Sequence, residues 1–308
     1  MIGRLIAALL LLALPVAGCG HGHSGAASSS AVAAVVVAQR WVAPRELDLS
    51  VRSAALGRVA RVRLLTPVGW RPSARPRWPV LYLLHGCCGD YRSWTRYTDI
   101  ARWPSLRSVL VVMPEGGDVG FYSNWRHGPR WQDFHLRELP ALLARRYGAG
   151  PRRAIAGLSM GGLGAIDYAA RRPHLFRAAA SFSGALHPLR APRYWLGLFT
   201  AYTNDPSAVW GDPGRDRDVW HRHDPTALVR SLAGIRVFVS AGTGHDRREP
   251  DPTEAEVGAE TRAFVRRARI LGIPVHADLY PGGTHNWPYW QRELRRALPM
   301  LLGGDAGG

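Results

Sequence analysis

The chain contains no lysine. Every one of its 40 lysine-or-arginine positions is arginine, against 23 acidic residues, for a formal net charge of +17. The arginines are scattered and often stand beside proline, as in Arg71-Pro72 and Arg75-Pro76. They form no stripe interleaved with aromatic residues, so the excess does not point to nucleic acid. Arginine without lysine reads instead as a compositional habit of the source genome, although a basic surface still favours an anionic envelope or membrane face. Cysteine is nearly absent, with only Cys19, Cys87 and Cys88. A bridge between the adjacent Cys87 and Cys88 would close a strained small ring. A conventional disulfide framework is therefore excluded, and the pair is expected to be small buried residues near the chemistry. Nor is there a long hydrophobic span: the run Leu5 to Val16 is too short to cross a bilayer comfortably.

That short run is a targeting segment. Arg4 supplies the positive start, and small residues follow the apolar core. Val16-Ala17-Gly18-Cys19 resembles a bacterial lipobox, in which the cysteine is lipidated and begins the mature chain. The alternative is a secretory signal cut near the same place, leaving a soluble protein. Residues 1–18 are expected to be the signal peptide and 19–34, rich in Gly, Ser, Ala and His, a flexible tether. Residues 35–302 are expected to be the folded domain and 303–308 a frayed tail. Two histidines in the tether are too few for a metal site. The 308 residues, 46% of them hydrophobic, suffice for one large α/β domain.

Within that domain, Leu47 to Ala54 and Gly57 to Leu65 read as an antiparallel edge hairpin. Trp78 to Leu84 and Ser108 to Met113 are continuous apolar runs, as buried strands require. Phe134 to Tyr147 reads as an amphipathic helix. Ala178 to Ser183, Ile235 to Ser240 and Val275 to Tyr280 read as further strands. Pro252 to Leu271 is a helix capped early by Thr253 and stopped by Gly272. His187 to Arg222 is rich in Trp, Tyr, Pro and Gly without clear periodicity, and reads as an excursion over the active site. Alternating strands and helices predict a mostly parallel sheet covered on both faces, with ligands at the carboxyl ends of the strands.

The chemistry centres on Gly157-Leu158-Ser159-Met160-Gly161. An apolar strand leads in and a helix-like segment, Leu163 to Arg172, leads out, which is the context a nucleophile elbow needs. Side chains at Gly157 and Gly161 would collide with neighbouring elements, so glycine is required while Ser159 is held in a strained turn. The first helical amides are then aimed where an oxyanion forms. A serine nucleophile needs a base, and the base an orienter. His285, in a glycine-rich loop after the last strand, is the best base; His85, His245 and His276 are weaker. For the acid, Asp246 and Glu249 follow a strand, whereas Glu254 and Glu256 lie in the first turns of a helix, where acids also serve the dipole. The residues alone favour Asp246.

The elbow, Tyr82-Leu83-Leu84-His85-Gly86, Phe121-Tyr122-Ser123-Asn124-Trp125, Val209-Trp210-Gly211, Asp224-Pro225-Thr226 and Gly283-Thr284-His285-Asn286-Trp287 together resemble the antigen 85 mycolyltransferases and their esterase relatives, in the same order, over Leu47 to Leu302. The resemblance implies an α/β-hydrolase fold with a Ser-Glu-His triad, exported to the cell envelope. It moves the acid to Glu254, with Asp246 second and Glu256 third. It also implies backbone amides of Cys87 and Met160 as the oxyanion hole, and Trp287 in the substrate channel. Where the mycolyltransferases carry Asp followed by Gly-Leu-Arg to help bind trehalose, this chain has His85-Gly86-Cys87-Cys88; His85 and Cys88 take those substrate-binding places, which puts trehalose recognition in question. The expected function is an exported serine esterase acting on acyl esters, with no metal or organic cofactor. The alternatives are acyl transfer to a sugar or glycerol hydroxyl, a peptidase, and a non-catalytic envelope-binding protein on the same fold, with membrane attachment through a lipid anchor.

Overall fold

The computed structural model describes residues 34–72, 77–245 and 249–303. The expected targeting segment with Cys19, most of the expected tether, the residues beyond 303, and Asp246 lie outside them. The strands are β1 (Val35–Ala43), β2 (Glu46–Ser53), β3 (Arg58–Leu65), β4 (Trp78–Leu84), β5 (Leu110–Pro114), β6 (Ala149–Leu158), β7 (Ala178–Phe182), β8 (Arg236–Gly242) and β9 (His276–Tyr280). The helices are α1 (Ser93–Tyr97), α2 (Trp131–Asp133), α3 (Leu139–Arg146), α4 (Met160–Arg171), α5 (Pro192–Tyr202), α6 (Ser207–Trp210), α7 (Arg217–Arg222), α8 (Pro252–Ile270) and α9 (Trp287–Leu302).

These strands form one sheet in the order β1-β2-β3-β5-β4-β6-β7-β8-β9. Pairing is antiparallel from β1 through β5 and parallel from β5 to β9. The strands alternate between two apolar layers, as a pleat with both faces covered demands. Val80, Tyr82 and Leu84 join the core beneath α3, α4 and α8, while Leu81 and Leu83 join the opposite core with Trp94 of α1 and Leu294, Leu298 and Leu301 of α9. The α/β-hydrolase arrangement expected from the sequence is the one found.

Three boundaries differ from the sequence reading. The β2–β3 hairpin is not at the edge, because β1 pairs outside it; Val35, Val37 and Trp41 of β1 are exposed, which made the strand hard to tell from tether. The helix read as Phe134 to Tyr147 begins at Trp131 and passes through a π-helical turn, Phe134–Glu138, before α3. Glu138 in that turn accepts from Ser53 Oγ at 2.5 Å and from the Ala55 amide at 2.8 Å, tying the helix to the hairpin. Helix α8 is capped by Asp251, not Thr253: Asp251 Oδ1 accepts from the Glu254 amide, with Pro252 next in the chain.

The aperiodic excursion resolves into α5, α6 and α7 around an aromatic nucleus. Phe121, from the loop after β5, meets Trp195, Phe199 and Trp210 with ring centroids 5.7, 4.9 and 5.3 Å away. Trp220 closes the cluster against Trp210 at 5.2 Å. Fully buried Asp224 ties the two ends, accepting from the Leu189 amide at 3.1 Å and the Thr226 amide at 2.9 Å and pairing with His187 Nδ1 at 2.8 Å. Among the described residues no helix is long and apolar enough to cross a membrane.

Candidate active site

Ser159 sits between β6 and α4 with φ 53° and ψ −122°, a conformation that costs on the order of 1–3 kcal/mol and survives only where packing enforces it. The enforcement is visible at the two flanking glycines. A Cβ on Gly157 would stand 2.2 Å from the Gly161 carbonyl oxygen, and one on Gly161 would stand 2.5 Å from that of His85. Strand β4, strand β6 and helix α4 thus meet with backbone against backbone, as the sequence argument required.

His285 follows β9, and Glu254 lies in the first turn of α8. Glu254 is fully buried. Its Oε2 is 3.0 Å from His285 Nδ1, and its Oε1 accepts from the Gly242 amide at 2.6 Å and Ser183 Oγ at 3.0 Å. The carboxylate is therefore held from three sides, by β8, by the turn after β7 and by the imidazole. Asp251 adds a second tie: its Oδ2 accepts from the His285 amide at 2.7 Å while its Oδ1 caps α8. His285 also packs edge-on against Trp290, with centroids 5.0 Å apart. Ser159 and His285 line one cavity of about 730 Å³. Among the described residues no hydrogen bond joins their side chains; such bonds are often long before substrate binds and tighten in the Michaelis complex.

Cys87, Cys88 and Trp287 line the same cavity. The Cys88 amide is committed to the Asp118 carbonyl at 3.0 Å, and among the described residues the Cys87 amide has no acceptor. Met160 begins α4, so its amide is one of the unsatisfied donors at a helix start. Trp287 is braced by Tyr97, stacked at 5.1 Å, and by Trp94 and Trp290, each at 5.3 Å, so it is both packed and facing the cavity. Tyr194, Trp195 and Leu198 of the excursion close the other side, which makes that segment a wall of the site.

Two expectations are not met. His85 is not brought to the cavity: it is 1% exposed, its Nε2 accepts from the Gly116 amide at 2.8 Å, and its Nδ1 lies 2.8 Å from the Gly86 carbonyl. It pins the loop after β4 to the loop after β5, with Tyr122 Oη donating to the His85 carbonyl at 3.0 Å. Neither cysteine is buried as expected: Cys87 is half-buried and Cys88 exposed. Sequence reasoning also missed Asp251 and Ser183. The Asp-Pro start of α8 was the available signal for Asp251; Ser183, at φ 46°, carried none.

A strained serine elbow at the carboxyl end of a parallel sheet, with a buried acid on the histidine beyond it, is the arrangement of the α/β hydrolases. The chain belongs to the Esterase family, whose model matches residues 53–301. It is 34% identical over 260 residues to Esterase Rv1288 of Mycobacterium tuberculosis, an alignment covering 78% of this chain and 56% of that protein. The chain thus spans little more than half the length of that relative. It is 31% identical over 289 residues to Diacylglycerol acyltransferase/mycolyltransferase Ag85A of Mycobacterium gordonae, covering 84% of this chain and 81% of that one. Among solved structures, MPT51 (FbpC1) of Mycobacterium tuberculosis superposes with a TM-score of 0.71 at 26% identity, over 85% of this chain and 99% of the other. The resemblance to the antigen 85 group drawn from the motifs is borne out.

Proposed function

We propose that the chain is an exported serine esterase, anchored through Cys19, that cleaves acyl esters by way of an acyl-enzyme. The observation that carries the reading is the 3.0 Å bond between fully buried Glu254 and His285 Nδ1, on a histidine sharing a cavity with the elbow serine. Glu254 fixes the imidazole with Nδ1 protonated, leaving Nε2 to take the Ser159 proton. Ser159 Oγ attacks the ester carbonyl, and the oxyanion rests on the Cys87 and Met160 amides. His285 returns the proton to the leaving alcohol. Water, activated by the same histidine, then releases the acid. The aromatic wall of Trp287, Trp195 and Tyr194 suits the acyl group. Export and lipidation rest on the Arg4–Cys19 sequence.

Acyl transfer is the second reading, favoured by the acyltransferase named among the relatives and by a neighbouring hollow. That hollow, of about 500 Å³, is lined by Arg61, Glu115, Trp125 and Tyr202, and shares Asp118 with the catalytic cavity. A polyol acceptor entering there would replace water in the second half-reaction.

The test is turnover of p-nitrophenyl esters of rising acyl length by wild type and Ser159→Ala, with and without glycerol or trehalose. Wild-type turnover that falls on the order of 10⁶-fold in the variant supports the nucleophile. An acylated acceptor establishes transfer. Equal activity in both chains, or none in wild type on any ester, overturns the enzyme reading in favour of a binding protein.

A further inference from the structure

The proposed reaction uses the Cys87 amide but neither cysteine sulfur. Yet Cys87 Sγ and Cys88 Sγ lie 2.8 Å apart. That is closer than two non-bonded sulfurs ordinarily approach, and still longer than the ~2.05 Å of an S–S bond. Cys88 is the exposed partner, and its backbone is in the left-handed region at φ 61°, held there by its amide bond to Asp118. Both residues line the cavity beside Ser159. The hydrogen bond from the Cys87 thiol lowers Cys88 to about 7, with Tyr202 assisting. The same bond, together with burial, raises Cys87. An accessible thiol poised near neutral pH is the better attacking group, and its partner keeps the proton.

We propose that Cys87 and Cys88 are a redox-active dithiol that closes into a vicinal disulfide on contact with a small-molecule disulfide, and that closure lowers turnover at the adjoining site. The Cys88 thiolate attacks one sulfur of the oxidant and expels a thiolate, leaving a mixed disulfide on Cys88. Cys87 then loses its proton and attacks Cys88 Sγ, expelling the second thiolate. The two protons of the pair end on the two small thiols, which carry the electrons away. Neighbouring Cα atoms stand ~3.8 Å apart across a trans peptide, below the ~4.4–6.8 Å span of ordinary disulfides. The ring is therefore strained and easily reduced again, as labile bridges are. The ring runs through the peptide between the two residues, so closing it re-aims that peptide, strains the bond from the Cys88 amide to the Asp118 carbonyl, and shifts the loop that carries the Cys87 amide, the candidate oxyanion donor. The effect on turnover rests on the esterase reading; formation of the ring does not.

The experiment treats the full chain with oxidised glutathione, blocks free thiols with iodoacetamide and digests with trypsin. Both cysteines fall in the single peptide Trp78–Arg92. The expected peptide is lighter by two hydrogens and carries no alkyl group; after dithiothreitol it carries two. Two alkyl groups after oxidant, a lasting glutathione adduct on Cys88, or a cross-link between chains overturns the dithiol. Ester turnover measured on the same samples is expected to fall at least about tenfold on oxidation, in line with loss of an oxyanion donor, and to return with reductant. In Cys88→Ser the oxidised-to-reduced ratio is expected to be one, whatever its basal rate. A closed ring with unchanged turnover overturns the link to the site. A reduced chain inert on every ester defeats the esterase reading and leaves the peptide result to decide the dithiol.

Discussion

Helix α8 buries two carboxyl groups, Glu254 in its first turn and Glu260 further along, and both are fully inaccessible. Their partners differ. Glu254 receives the Gly242 amide, the Ser183 hydroxyl and the His285 ring. Glu260 receives the His187 amide at 3.0 Å and Trp195 Nε1 at 2.7 Å, both from the excursion. Burial pushes Glu260 up to about 8, against the opposing pull of those two donors. One helix thus holds the His285 imidazole at one point and the cavity wall at another. Burial alone does not separate the two carboxyl groups; the identity of the donor does.

Changing the first carboxyl should have the largest effect on chemistry. Glu254→Gln is expected to lower kcat by roughly 10³–10⁴-fold, the loss seen when a triad acid can no longer hold the right tautomer, as measured by steady-state ester hydrolysis. Asp251→Ala sharpens the contrast from beside it. It removes the α8 cap and the tie to the His285 amide, for about 1 kcal/mol of stability by urea titration and on the order of tenfold in turnover through a misplaced imidazole.

The second carboxyl should show chiefly in stability, with kcat changed far less than by Glu254→Gln. A raised acid holds its proton in the folded state, so the stability it supplies is full below about 4.5 and is lost as pH rises to about 8. The slope is at most about 1.4 kcal/mol per pH unit. Buried His135 and His223 are both lowered to about 3, which adds stability of the opposite slope up to about pH 6.5. The Glu260 part is therefore read as a difference: between pH 5 and 8 the urea midpoint of wild type should fall relative to that of Glu260→Gln. Identical profiles would place Glu260 outside this linkage.

Much of this was legible in the chain. Trp78–Leu84 was read to the residue because an apolar run stood between a Pro/Arg-rich loop and His85-Gly86. The elbow was legible because two glycines and a strand-to-helix change can be explained together only by a crowded turn. The excursion was not, since its tryptophans pack on Phe121 from another loop and leave no period along the chain. The acid was not settled by the residues either: Glu254 at a helix start serves the dipole equally well, and only the resemblance moved it ahead of Asp246. His85 read as a ligand because it stands where relatives bind substrate, but the Gly116 amide and Tyr122 hydroxyl that enclose it come from a distant segment.

The most direct test is kcat for wild type, Glu254→Gln and Glu260→Gln side by side on one short-chain p-nitrophenyl ester, at a pH where all three are folded. A loss on the order of 10³-fold or more is expected for Glu254→Gln alone. Equal losses in both variants, or none in Glu254→Gln, would contradict the assignment of Glu254 as the group that orients His285.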